Sequence, residues 1–560
     1  MKRSTYIWSL LVGCVAFATS CDLTENVQVK ADKSMIFGSK SGLELYSNSF
    51  YKALPTLKNG FMQDKMCDVG AVSNTDTFIK QGAYNTETAT SWSWGALKNV
   101  NYFIDGCNDP KYCTVEAETR DNYLGIARWF RAWFYYDKLT TYGEVPWFPN
   151  DIQSYQNDVM YKDRDSRDVI IRNLIADLDF AYEHIQATSS TGSATLTRWA
   201  AAALKSRVCL FEAAYRRYHN LTGLEITPEE LYREAAKAAK LVIDNSGCSL
   251  NTAAGKKGAY RDLFYSETPL TQEVILAVCA NEKSGIFGEQ NWWFNARSYG
   301  LCWSLVRSFV HTYLKQDGTP FTAAADYAVK SFAEEMEGRD LRLEQTVRGR
   351  NFLWDGKTAV ADIKNLSLTG YQVIKYTLDE SKYDGGAKNI NSIPLIRYAE
   401  VLLNYAEAQA ELGVITDSEW ALTVGALRKR AGITGGTETL PTTVDSYLQR
   451  TFYPDVTSPV LLEIRRERAI ELVAEGMRFD DLRRWKMDDG KTMMEHVFGP
   501  NGTFVKYNME ESTDPYETTN QQENSNEGIN FQAPRDLLFA IPNSEITMSN
   551  GTIKQNEGYN

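Results

Sequence analysis

Pro394-Leu395-Ile396-Arg397-Tyr398-Ala399-Glu400-Val401-Leu402-Leu403-Asn404-Tyr405-Ala406-Glu407-Ala408 is where this chain declares its architecture. Leu395, Tyr398, Ala399, Leu402, Tyr405 and Ala406 recur at three- and four-residue steps, the signature of one buried helix face, and Gly413 ends the run. Arg397 and Glu400 sit in this mostly apolar segment, where an unpaired charge is costly, so each demands a partner from elsewhere in the chain.

Outward from that stretch, the same periodicity recurs on both sides. Ile126, Trp129, Phe130, Trp133 and Phe134 share one helix face, and Gly143 with Pro146 stops that helix. Asp163 to Ile185 reads as a further helix. The Ala-rich segment Trp199 to Tyr215 pairs with Leu231 to Ile243 across a turn containing Gly223 and Pro228, a helical hairpin of tetratricopeptide type. Residues 246–392 change character, with Gly, Asn, Ser and aromatics rising and helical period weakening except near Leu305 to Leu314. Trp420 to Arg430 reads as a short helix and Pro459 to Trp485 as a long charged one. Residues 487–530 read as loop, and Leu537 to Ile541 as a short strand-like run before the tail. The fold class is therefore mainly α. It has a helical core over about 36–245 and 393–486, an irregular insertion over about 246–392, and a loop-rich part over 487–560, read together as one domain from 36 to 560.

The start of the chain reads as an address. Lys2 and Arg3 precede the apolar run Ile7 to Ala18, long enough for a signal peptide and too short to span a bilayer. Thr19-Ser20 then lead into Cys21, which resembles a lipoprotein processing site with residues 1–20 as leader and 21–35 as linker. Cys14 offers a rival site, but cleavage there would leave an apolar run of about six residues, too short for a leader. No later stretch reaches the roughly 18 apolar residues of a membrane helix, so membrane contact is expected only through the lipid.

Composition narrows function. The 560 residues carry 60 Lys and Arg against 72 Asp and Glu, a net −12 that falls to −14 once Lys2 and Arg3 leave with the leader. That balance argues against nucleic acid as a partner. The four histidines, His184, His219, His311 and His496, form no metal-ligand spacing, so no metal and no cofactor are expected. Seven cysteines remain beyond Cys14 and Cys21, which is no disulfide framework; Cys107 and Cys113 are spaced to close a small loop, while Cys209 and Cys279 read as buried thiols. Gly356-Lys357-Thr358 and Gly490-Lys491-Thr492 suggest a phosphate loop, but Asn351 and Trp485 stand where its first Gly belongs. Glu463, Glu467 and Glu471 line one helix face with Arg465, Arg466 and Arg468 between them, which favours ion pairs over catalysis. No residue is assigned a catalytic role.

Three blocks, in this order, resemble the SusD/RagB family of outer-membrane nutrient-binding lipoproteins. The first holds Arg131-Ala132, Tyr135-Tyr136, Leu139 and Tyr142-Gly143-Glu144-Val145-Pro146. The second is the stretch from Pro394 to Ala408. The third holds Arg466-Glu467-Arg468, Glu471-Leu472, Glu475-Gly476, Arg478 and Asp481-Leu482-Arg483-Arg484-Trp485. Ile541-Pro542 and the tail from Lys554 to Tyr559 match more weakly. The resemblance implies a SusD-like fold with tetratricopeptide-like hairpins on one side and an irregular, loop-rich ligand-binding half. It implies a lipid-anchored protein on the outer-membrane surface that binds oligosaccharides, or in some branches peptides, and delivers them to a SusC-like TonB-dependent transporter. It implies a binding protein, with a glycan hydrolase as the remaining alternative.

Sugar recognition needs a flat aromatic face for the C–H side of a ring, with amides, carboxylates or Arg for its hydroxyls. Asn291-Trp292-Trp293-Phe294-Asn295-Ala296-Arg297-Ser298-Tyr299 supplies both, which makes Trp292, Trp293, Tyr299, Asn295 and Arg297 the first ligand candidates. The second group lies between Asn74 and Trp94: Asp76, Tyr84 and Trp92, with Trp94 entering a helix over 94–104. Trp129, Trp133, Trp199 and Trp485 fall on helical stripes and are expected in the core.

Overall fold

The computed structural model describes residues 33–58, 63–72, 76–79, 82–153, 155–295, 303–358, 367, 369–486, 503–506, 523–526 and 533–559. Cys21 and the leader lie outside the described residues. The helices that position the site are α1 (Lys40–Ser47), α2 (Gly95–Asn108), α3 (Ala117–Tyr142), α4 (Arg167–His184), α5 (Arg198–Tyr218), α6 (Pro228–Asn245), α7 (Gln290–Asn295), α8 (Tyr398–Glu411), α9 (Val424–Arg430), α10 (Pro459–Glu471) and α11 (Arg478–Arg484). The chain is mainly α, and among the described residues its strands pair in twos.

Consecutive helices pack along their lengths, α3 on α4 and α5 on α6, and α8 lies against α6 and α10. The α5–α6 pairing follows from the sequence. Ala200 to Ala203 are buried and lack bulk, which lets the backbones approach. Thr227 and Glu230 close a capping box on α6, with Pro228 in the first turn where its missing N–H does no harm. Trp129 and Trp485 are fully buried, and Trp133 and Trp199 are half-buried against the same core. α3 stops at Gly143, whose φ of +77° suits only glycine, and a Cβ there would lie 3.0 Å from Leu538 Cδ1. The C-terminal tail docks on this corner: Phe539 N–H donates to Thr141 O at 2.8 Å, and the Asn556 amide donates to Tyr142 O at 3.0 Å.

The helices depart from the sequence periodicity where the backbone is needed elsewhere. α4 begins at Arg167 rather than Asp163, since Ser166 caps it. The segment 305–314 holds one helical turn, Arg307–Val310, because Ser304–Leu305 is a strand paired with Gly70–Ala71. Residues 420–430 divide at Thr423 into two helices, Asp417–Leu422 and α9. The long charged helix divides after Glu471, where Ala474 at φ +64° and Gly476 at φ +81° turn the chain into α11. Residues 503–506 and 523–526, within a stretch read as loop, pair as antiparallel strands. The run from Leu537 to Ile541 is not a strand but the end of a 3-10 turn and an extended connection.

β1 (Val274–Val278) and β2 (Ile393–Arg397) pair antiparallel, with Val274 opposite Arg397. This register delivers Arg397 to Glu273 at 3.1 Å and to Glu471 at 2.6 Å. Arg342 reaches Glu471 at 2.8 Å, and Arg430 bridges Glu471 and Glu273. Glu475 accepts from Arg397 and Lys375, each at 2.7 Å. Glu400 takes Arg207 from α5 at 2.6 Å, and Glu407 takes Arg484 from α11 at 2.8 Å. The acidic face of α10 is thus bonded mainly to other elements, not to arginines of its own helix. Burial alone would raise the Glu471 carboxyl, but Arg430, Arg397 and Arg342 outweigh it and hold it well below the usual range.

Candidate functional site

α7 is one and a half turns long, and its orientation is fixed by one residue. Asn291 is fully buried; its Nδ2 donates to Leu378 O at 2.7 Å and to Asp384 Oδ1 at 3.1 Å, and its Oδ1 accepts from Leu378 N and Asn389 Nδ2 at 2.7 Å each. The Asn291 N–H donates to Asn389 Oδ1 at 2.9 Å. Phe294 completes the inward face, stacked on Trp303 with centroids 5.3 Å apart. Asn295 also turns inward, donating to Asp384 at 3.1 Å and accepting from Gln372 at 3.0 Å. Burial raises the Asp384 carboxyl, against the pull of these two amides.

With that face locked, Trp292 and Trp293 remain half-buried, adjacent, with ring centroids 5.1 Å apart and planes tilted by 49°. Trp293 packs partly on the core and donates from Nε1 to Glu289 at 3.3 Å. Glu289 is also paired with Lys58 at 2.9 Å. Two tilted indoles beside a carboxylate and an ammonium can stack against a ring and bond its hydroxyls. Arg297 and Tyr299 lie outside the described residues. Lys58, Glu289, Asp384 and Gln372 were not singled out from sequence. Only the Asn-rich run around Asn389 and Asn391 hints at the bonds that hold α7.

The second group is committed elsewhere. Tyr84 packs edge-on against Phe78, Phe539 and Tyr559, and its hydroxyl accepts from the Ala540 N–H at 3.1 Å. Burial pushes its phenol up to about 12. Trp92 is only 7% exposed, edge-on to Trp94 and Tyr142. Trp94 stands at the N-terminal cap of α2 and packs against Phe134 and Phe148. Asp76 accepts from the Phe78 N–H at 3.0 Å, closing a local turn. Cys107 and Cys113 are thiols, Cys209 is buried, and Cys279 donates weakly to Gly192 O. Among the described residues no group of His, Cys, Asp and Glu could hold a metal ion, and no helix is long and apolar enough to cross a membrane.

Comparison with known proteins agrees with this architecture. SusD-like protein P2 of Formosa agariphila is 25% identical over 468 residues, covering 79% of this chain and 75% of that protein. A SusD-like protein from Bacteroides fragilis superimposes with a TM-score of 0.70 at 22% identity, over 94% of this chain and 99% of its own. A SusD-like carbohydrate binding protein from the same species superimposes with a TM-score of 0.69 at 20% identity, over 92% and 99% of the two chains. The model of the SusD family matches residues 272–559, which include β1, α7, β2, the buried ionic junction and the tail. With a family match over half its length and the matching fold over nearly all of it, the chain belongs to the SusD family.

Proposed function

We propose that this protein binds oligosaccharides at the cell surface, through Trp292 and Trp293, and passes them to a SusC-like TonB-dependent transporter. The observation that carries the reading is α7 itself: six residues whose inward face is bonded by Asn291, Phe294 and Asn295, leaving two neighbouring indoles half-buried. Arg297 and Tyr299, close by in sequence, remain candidates for the same ligand. Family membership supports binding as the role, and the carboxylates of α10 are engaged by arginines rather than arranged as an acid and base.

The anchor is a lipid on Cys21, which would hold the protein at the outer membrane. Cys21→Ala should abolish labelling by a fatty-acid analogue; labelling that survives this change and disappears with Cys14→Ala would move the anchor. A β-barrel transporter should co-purify at near-equal stoichiometry from solubilised outer membranes. For the site itself, a glycan array selects the ligand, and calorimetry on Trp292→Ala and Trp293→Ala tests it. Full affinity in both variants would remove α7 from the binding site.

A further inference from the structure

Cys107 and Cys113, thiols in this structure, take no part in the α7 site, yet the fold sets them against each other. Cys107 stands in the last turn of α2 and is buried, while Cys113 is half-buried. Between them the chain turns back on Asp109. The Asp109 carbonyl accepts from the N–H groups of Tyr112 at 3.1 Å and Cys113 at 2.9 Å, and its carboxylate accepts from the Lys111 N–H at 3.0 Å. This turn returns Cys113 to the end of α2, where the two thiols interact directly. Two cysteine side chains brought together by a closed turn meet the first requirement of a disulfide.

The pair is chemically unequal. Burial raises both thiols, Cys107 more strongly. The Cys113 sulfur receives the Val115 N–H and lies near Arg120, and both favour its thiolate, against Asp121. The thiolate is the attacking form, so Cys113 is the nucleophile of the two. Its partial exposure lets an oxidant reach it.

The turn also carries the helix Lys33–Phe37, by which the chain enters the fold after Cys21. The Phe37 ring lies directly on Gly106, where a Cβ would come within 2.0 Å of Phe37 Cζ. The Lys33 ammonium stands over the rings of Tyr102 at 5.3 Å and Tyr112 at 5.4 Å. Residues 106–112 are therefore the seat of that helix.

We propose that Cys107 and Cys113 are joined by a disulfide in the exported protein, and that this bond clamps the seat of the helix Lys33–Phe37. The proposal rests on the reading of residues 1–20 as an export leader, because disulfides persist outside the reducing cytosol. The oxidant is a second disulfide, on a small molecule or on an oxidised dithiol protein of the cell envelope. The Cys113 thiolate attacks one of its sulfurs, that S–S bond breaks, and the other sulfur leaves and takes up a proton. Cys107 then loses its proton and attacks Cys113 Sγ, releasing the second sulfur of the oxidant. Two electrons and two protons pass from the cysteines to the oxidant, which ends as two thiols.

The full chain is recovered from fractionated cells after quenching with N-ethylmaleimide and is digested without reductant. Trypsin cuts after Lys111, so the bond is read by mass spectrometry as a linked pair of peptides, 99–111 and 112–120. That linked pair is expected from the outer-membrane fraction. Reducing the purified protein should quicken hydrogen exchange across 33–37 and 107–113 on the order of tenfold, as release of a short closed loop allows. In Cys113→Ser the reductant should change neither segment. Alkylation of both cysteines in protein from the outer membrane overturns the bond while the export reading stands. Recovery of the chain from the cytosol alone overturns the export reading, and the bond falls with it. A linked pair whose reduction leaves exchange at 33–37 unchanged overturns the clamp. An equal response of Cys113→Ser to reductant overturns it as well, by placing the effect at another thiol.

Discussion

Glu471 and Trp292 belong to regions that use polar chemistry in opposite ways. Around Glu471, three arginines from distant parts of the chain converge on one carboxylate in a fully buried setting. On α7, amides and one carboxylate are also tightly bonded, but only along one face, and their bonding leaves the two indoles of the other face half-buried. Charged residues in the first region hold helices together. Uncharged amides in the second hold a helix turn so that its aromatics have somewhere to point. The family's characteristic arginines and glutamates therefore report on fold, while binding is sought on the half-buried indoles of α7.

The largest effect is expected at the junction. Glu471→Gln leaves Arg342, Arg397 and Arg430 facing a neutral amide in a buried space. Breaking one partner of such a pair costs about 3–5 kcal/mol. Urea unfolding should show a loss of that order, with glycan affinity unchanged in whatever fraction stays folded. A loss below about 1 kcal/mol would mean that the junction behaves like a surface ion pair and that the contrast with α7 is false.

A neighbouring carboxyl sharpens the point because it lacks an arginine. Asp64 is 1% exposed and accepts from the Gly476 N–H at 3.0 Å and the Arg478 N–H at 3.2 Å. Burial pushes it up to about 7 against those two bonds and Lys375. The unfolded carboxyl titrates near 3.8. Between the two values the folded protein keeps a proton that the unfolded chain has released. This group's contribution to stability is therefore complete below about 4 and lost as pH rises to about 7, at up to about 1.4 kcal/mol per pH unit. Asp64→Asn should lack that slope, so its stability relative to the parent should improve from pH 5 to about pH 7 and level off by pH 8. A constant difference over that range would show that Asp64 is ionised throughout.

On α7 the expected loss is in binding. Truncating an aromatic anchor commonly costs about 2 kcal/mol, roughly 30-fold in affinity. Trp293 also packs on the core and donates to Glu289, so Trp293→Ala should lower the melting temperature as well. Equal thermal losses with intact affinity would make both indoles part of the packing and erase the distinction between the regions.

These two regions were unequally legible in the sequence. The helix from Tyr398 to Glu411 follows from its apolar spacing, and the need to pair Arg397 and Glu400 follows from their company. Their partners did not follow: Glu471 lies 74 residues from Arg397, and Arg207 lies 193 from Glu400, distances over which local pattern carries nothing. The break after Glu471 depends on Ala474 in a left-handed conformation, which no side-chain rule would assign to alanine. At the site, adjacent tryptophans were visible as a candidate. What orients them is Asn291 bonding to Leu378, Asp384 and Asn389, some 90 residues onward, and amides in a loop carry no periodic signal.

The smallest effect concerns Tyr84, a residue whose surroundings place it with the packing rather than with α7. Its hydroxyl accepts from the N–H of Ala540, which is fully buried, and its ring meets Phe78, Phe539 and Tyr559 from the tail and the loop beneath it. Tyr84→Phe keeps every ring contact and removes only the acceptor. The Ala540 N–H is then left without a partner, at a cost of about 1 kcal/mol. Hydrogen exchange should quicken in the tail around 537–559, with a melting temperature slightly below the parent's. Affinity for the glycan selected by the array should not change. If affinity falls while the tail stays protected, the hydroxyl reaches ligand rather than backbone. The binding surface would then extend from α7 to the 76–94 segment, and the boundary drawn between packing and recognition would have to pass on the far side of Tyr84.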